Sequence, residues 1–188
     1  MGWLALLAVG LAWGVARFRF GYPPPPATVR NLAPREYAAI AAAAVATFPR
    51  GGAVPPSGLD ADVPGHADRF IGAQARRSRF LMRLLFVLIE HGTLVFPPPG
   101  AGGRRRFSAL RPAQQIVYLD GWRTSGLFFR RLVFTSLRAI LTMGYVAHPA
   151  VLRELGLVPR PVETPPCAAD GLWPPISAGS ASHGSRGS

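Results

Sequence analysis

The sequence predicts an all-α fold, a compact bundle of four to five helices with an apolar helix before it and a disordered tail after it. Apolar residues recur at steps of three and four along several segments, which is helical spacing. Proline and glycine stand at the ends of those segments. The 21 glycines and 20 prolines among 188 residues also indicate that part of the chain is linker or tail. We expect an apolar segment at 1–22, a proline-rich spacer at 23–31, a helical domain at 32–157 and a Pro/Ser/Gly-rich tail at 158–188.

The N-terminal segment is apolar from Met1 to Ala16 and then meets Arg17 and Arg19. Crossing a bilayer takes about 20 apolar residues, so this run is short for a span. Three interpretations stay open: a membrane anchor or interfacial helix, a cleaved signal peptide, or a helix that packs on a partner. With both arginines after the apolar run, the positive-inside rule predicts a membrane-associated chain whose body is cytoplasmic, and periplasmic export is less favoured.

The domain is expected to begin with a helix opened by Pro34 and Glu36, apolar on one face, and stopped by Pro49. The loop that follows carries three aspartates and a histidine, which raises the possibility of a metal site: Asp60, Asp62, His66 and Asp68. An EF-hand loop starting at Asp60 would need a glutamate where Ile71 stands, so capping of the next helix by Asp62 or Asp68 is the better prediction.

The next helix is expected to run from about Gly65 to His91, with Gly92 as its stop. Its second half, FLMRLLFVLI, is apolar nearly all round, which is typical of a buried core helix. The ten residues, broken by Arg83, are too few to span a bilayer. A histidine in the last turn, such as His91, favours a structural capping role.

The last part of the domain predicts three further helices. The first covers Ala113 to about Thr124 with Trp122 on its apolar seam. A long amphipathic helix opened by Ser125 comes next, and a short one covers Ala150 to Leu155 before Gly156.

No grouping of side chains in the chain predicts chemistry. Histidines 66, 91, 148 and 183 stand far apart, and Cys167 is the single cysteine, which excludes an intrachain disulfide. Dinucleotide-binding, Walker and haem-attachment motifs are absent from the sequence, and the Gly100–Gly103 loop before three arginines predicts at best a nonspecific anion site. The net charge of +12 rests on 21 arginines without one lysine, a bias that GC-rich codons also produce.

Several consecutive runs together resemble a known family. They are LAPREY, LIEHGTLVF, RRRFSAL, a Gln-Gln pair, YLDGWRTS, FFRRLVFTSLRAI and GYVAHPAVLRELG. The order is similar to the small subunit of the gluconate 2-dehydrogenase subunit 3 type and to the helical N-terminal region of long-chain alcohol oxidases. The resemblance covers about Leu32 to Leu157 and departs at the N-terminus, where the arginine pair of a twin-arginine export signal is missing.

The resemblance implies a non-catalytic accessory subunit whose partner is a flavoprotein of the glucose-methanol-choline family. FAD would belong to the partner, and this chain would contribute no catalytic, cofactor-binding or metal-binding residue. The candidate residues for the interface lie in the most specific part of the resemblance: Trp122, Phe128, Phe129, Arg130, Arg131, Tyr145 and His148. The alternative hypothesis is a free-standing helical protein that binds anionic lipid at the membrane surface, and the third is a helical nucleic-acid binder, although no groove-reading module is recognisable.

Overall fold

A computed structural model describes residues 2–157, and within them the chain is all-α, as the sequence predicts. The predictions for the 158–188 tail, including Cys167 and His183, lie outside the described residues. The helices are α1 (Gly2–Arg19), α2 (Pro34–Thr47), α3 (Val63–Gly72), α4 (Arg76–His91), α5 (Pro112–Arg123), α6 (Phe128–Val146) and α7 (Pro149–Glu154). Short 3₁₀ turns cover Gly92–Leu94 and Phe107–Ala109.

Helix α2 lies at the centre of the domain and contacts α3, α4, α5 and α6. Its alanines let these neighbours approach closely, and Ile40, Ala43 and Ala44 have no accessible surface. The helix begins as predicted, with Pro34 in its first turn, and the Glu36 carboxylate accepts a hydrogen bond from the Ala33 N–H at 2.9 Å.

The single helix expected over 65–91 is two helices, so the domain proper contains six helices instead of four or five. The guanidinium of Arg79 stabilises the break, because it donates to the carbonyls of Gly72 at 2.9 Å and Gln74 at 3.1 Å. A continuous helix would use both carbonyls in its own hydrogen-bond ladder. Arg69 therefore lies on α3, whereas Arg76 and Arg83 lie on α4.

The aspartates of the candidate metal group act separately, and the structure places Asp68 within α3. Asp62, at a positive φ of 47°, caps α3 by accepting from the Gly65 N–H, as one of the two predicted caps. Asp68 is buried and accepts the N–H groups of Asn31 at 2.6 Å and Leu32 at 2.9 Å. It thereby fastens the end of the proline-rich spacer to α3. Among the described residues, no group of three histidine, cysteine or acidic side chains is placed to hold a metal ion.

Aromatic side chains in the core join α5 to the end of α4, and α6 to the residue that follows α2. Trp122 and Phe107 pack against the ring of Tyr118, whose hydroxyl donates to the carbonyl of Ile89 at 3.0 Å. Tyr145 of α6 stacks on Phe48 with ring centres 3.9 Å apart. Because these rings come from four separate segments, they fix the helices relative to one another.

Candidate partner interface

Helix α6 buries one face and leaves a neighbouring apolar face uncovered. Val133, Leu137, Ile140 and Leu141 point into the core. At the start of the helix, four large apolar side chains are exposed, and we call them the α6 apolar surface: Leu127, Phe128, Phe129 and Leu132. Phe128 is 70% exposed and Phe129 is 54% exposed. Single exposed apolar residues are normal on protein surfaces, whereas a cluster of aromatic side chains marks an interaction site.

Two of the seven candidate interface residues, Phe128 and Phe129, belong to this surface, and Arg131 lies beside it. The Arg131 guanidinium donates to the carbonyls of Ser125 at 2.6 Å and Gly126 at 3.0 Å. The same guanidinium lies 6.0 Å from the centre of the Phe128 ring. Arg131 therefore stabilises the start of α6 and adds a positive charge beside the apolar side chains.

Trp122 and Arg130 contact each other beneath the protein surface and are not part of the α6 apolar surface. Trp122 is 2% exposed, so its ring is part of this chain's own core and does not reach a partner in this conformation. Arg130 is half-buried, with its guanidinium 4.1 Å from the Phe96 ring centre and 5.2 Å from that of Trp122. These contacts hold the first turn of α6 against the end of α5.

Tyr145 and His148 lie at the other end of α6, away from its apolar surface. The Tyr145 hydroxyl donates to the carbonyl of Pro56 at 2.6 Å, and the residue is buried. His148 is half-buried and caps α7, since its Nδ1 accepts from the Ala150 N–H at 3.3 Å. The seven candidates thus do not form one surface.

Helix α4 carries a second uncovered apolar face that the sequence reasoning missed. The stretch expected to be buried all round does bury Leu85, Phe86 and Ile89, but Phe80 and Leu81 are exposed. The signal was present, because a helix apolar on every side needs more neighbours than a small bundle provides. The expectation of a fully buried helix was wrong for its first half.

The end of α4 also contains a buried polar cluster. Glu90 is 1% exposed and accepts two hydrogen bonds from Ser108, from the hydroxyl at 2.6 Å and from the backbone N–H at 3.0 Å. Burial raises the pKa of Glu90, and the Ser108 hydrogen bonds oppose this change. A carboxylate and a hydroxyl paired in this way anchor the 3₁₀ turn at 107–109 to α4.

His91 is buried in the same cluster instead of capping the helix end, where Gly92 stands. Its ring centre lies 3.9 Å from that of Phe18 at the end of α1. Neither ring nitrogen has a hydrogen-bond partner among the described residues. Burial, followed by the charges of Arg17, Arg35 and Arg106, lowers the pKa of His91 to about 4.

None of the helices in the described part of the chain is long and apolar enough to cross a membrane. Comparisons with protein-family models, with curated proteins and with solved structures found no match to this chain. Within the described part of the chain, α4 and α6 each leave large apolar side chains exposed, and of these two helices only α6 carries residues of the candidate set.

Proposed function

We propose that the chain is a non-catalytic accessory subunit, which binds a flavin-dependent dehydrogenase or oxidase of the glucose-methanol-choline type and holds it at a membrane. FAD and the hydride chemistry would belong to the partner, while this chain contributes binding and orientation.

The observation that carries this proposal is the α6 apolar surface. Its aromatic members lie in the run FFRRLVF, and that run is also one of those on which the family resemblance depends. Phenylalanine side chains surrounded by arginine are typical of the central part of protein interfaces, where a few large residues supply most of the affinity. The basic rim formed by Arg131 would favour an acidic border on the partner.

The membrane part of the proposal rests on α1. Its residues from Gly2 to Ala16 carry no charge, and Trp3 is 83% exposed near its start. Tryptophan favours the boundary between lipid and water, and arginines at the other end of an apolar segment favour the headgroup region. In this arrangement α1 attaches the complex to the lipid surface and the domain holds the enzyme beside it.

The test is affinity purification of the tagged full-length chain from its host in mild detergent, with an absorbance scan of the eluate for flavin. We expect a stoichiometric partner of the glucose-methanol-choline type and a yellow eluate. Phe128→Ser with Phe129→Ser should weaken the complex on the order of a hundredfold or more, since both side chains would be central anchors. Phe80→Ser with Leu81→Ser removes a similar exposed pair from α4 and should leave the complex with the partner intact.

Two results would contradict the accessory role, and a third would contradict the assigned interface. A purified chain that bound flavin or oxidised alcohols alone would be an enzyme in its own right. A monomer recovered from the membrane fraction without flavin would favour the alternative of a free-standing lipid-binding protein. Equal weakening by the α4 and α6 pairs would instead place the interface elsewhere than on the α6 apolar surface.

A further inference from the structure

A cleft of about 510 Å³ lies where the last turn of α1 meets the loop between the two 3₁₀ turns. It is lined by Arg17 of α1, by Pro97, Pro98 and the glycines of the 100–103 loop, and by Arg104 and Arg105. We call this feature the basic cleft.

The charged side chains that line the basic cleft are all positive. Its described lining contains three arginines and no aspartate or glutamate. Burial, followed by the positive charge of Arg106, lowers the pKa of Arg17, as expected where cations crowd together. The Arg17 guanidinium also donates to the Thr93 hydroxyl at 3.2 Å, which fixes its position at the edge of the cleft. Arginines that line one cleft suit phosphate oxygens, which accept paired hydrogen bonds from guanidinium groups.

The loop that presents these arginines has a specified conformation. Gly100 and Gly102 have positive φ angles of 96° and 80°, which favour glycine. A Cβ atom on Gly103 would overlap the carbonyl of Pro98, so the chain approaches itself closely there. The side-chain amide of Gln114 donates to the carbonyls of Pro99 at 3.2 Å and Ala101 at 3.4 Å and ties the loop to α5.

Arg106 fastens the same loop to the end of α1. Its guanidinium donates to the carbonyl of Phe20 at 2.6 Å and stacks 4.3 Å from the centre of the Tyr22 ring. Arg104 and Arg105, which are both exposed, are thereby held beside Arg17. The basic cleft thus places positive charge at the C-terminal end of α1. The uncharged part of α1, residues 2–16, is about 22 Å long at 1.5 Å per residue.

We propose that the basic cleft binds an anionic phosphate group, and that the headgroup of an anionic phospholipid next to α1 supplies it. The phosphate chemistry follows from the three arginines alone and is independent of the flavoprotein partner. The lipid source rests on the membrane attachment of α1 that is part of the proposed function.

The experiment measures binding of the full-length chain to vesicles of phosphatidylcholine, with and without phosphatidylglycerol, and binding of inorganic phosphate by calorimetry. Arg104→Gln with Arg105→Gln is the test variant. Arg76→Gln with Arg77→Gln is the matched control, since this exposed pair begins α4, about 24 Å along the helix from the His91 end that contacts α1. Circular dichroism checks that both variants fold.

We expect phosphatidylglycerol to strengthen vesicle binding, the cleft variant to lose about thirtyfold of that affinity, and the control to keep most of it. Equal losses in both variants, or no preference for phosphatidylglycerol together with no phosphate binding, would overturn the site. Phosphate binding that the cleft variant abolishes, without any vesicle binding, would keep the site but reject both the lipid source and the membrane attachment of α1. Vesicle binding without preference for phosphatidylglycerol, combined with phosphate binding, would identify a soluble phosphate ligand. That result would reject only the lipid source and would keep the membrane attachment of α1.

Discussion

The free energy of unfolding of the native chain is expected to fall at mildly acidic pH because of His91. Replacing His91 by phenylalanine or glutamine should abolish that decrease. The imidazole is 7% exposed, and its nitrogens find no hydrogen-bond partner within the described part of the chain. The ring packs against that of Phe18 at a tilt of 34°, and the charges of Arg17, Arg35 and Arg106 act on it. Protonation would bury a fourth positive charge among them.

The magnitude follows from the two pKa values. The folded-state pKa of His91 is about 4, against an ordinary value of 6.5 that we take for the unfolded chain. Between these values the unfolded chain binds a proton that the folded chain excludes. The free energy of unfolding therefore falls as the pH falls from 6.5 to 4, by about 3 kcal/mol if the difference is fully expressed. Glu90, whose pKa burial raises, acts in the opposite direction but is present in every variant.

Urea unfolding of the native chain and of both variants, followed between neutral pH and pH 4, provides the assay. Each variant should lose the His91 contribution, so the difference in stability from the native chain should grow by about 3 kcal/mol toward pH 4. His91→Phe should also gain stability at neutral pH relative to His91→Gln, because it leaves no buried polar atom without a partner. If the three stability curves ran parallel over this pH range, the proposed burial of a neutral His91 would be refuted.

Three further predictions concern the fold. Asp68→Asn should cost about 2–3 kcal/mol in urea unfolding, because three backbone N–H groups lose a charged acceptor. Burial favours a higher pKa for the Asp68 carboxyl, but these hydrogen bonds outweigh it and hold the pKa below its usual range. The stabilisation by Asp68 should therefore fade as the native chain is acidified through that pKa. Gly58→Ala should cost about 1–3 kcal/mol and lower the Tm, since a Cβ there would lie 2.6 Å from a backbone oxygen of α2, while Gly126→Ala, with open space around it, should change the Tm little. Trp122→Ala should cost about 3–5 kcal/mol by the same assay, whereas Phe128→Ala should cost under about 0.5 kcal/mol and act on partner binding instead.

The helix boundaries illustrate how far local sequence signals reach. Pro34 and Pro112 stand in the first turns of α2 and α5, and Gly156, with a φ of 68°, follows α7. These residues act through their own backbone geometry, so their effect can be read from the sequence. The break after Gly72 could not be read in this way, because the carbonyls there are bound by the long side chain of Arg79, which comes from the following helix.

Assigning the interface required knowledge of burial. The sequence marks Trp122 and Phe128 equally as large aromatic residues beside arginines, but the structure buries the first and exposes the second. The same holds for His91, which has the sequence context of a helix cap and the surroundings of a core residue.

By itself, the sequence determined the all-α class, most of the helix ends and the apolar character of α1, since periodicity, proline and glycine act within a few residues of one another. Only the tertiary structure decided which apolar faces stay uncovered, that Glu90 is buried against Ser108 and His91 against Phe18, and that Arg17 lines one cleft with Arg104 and Arg105. Those features join residues that are distant in the chain, and burial depends on which helices pack against each other and not on the local pattern of any one of them.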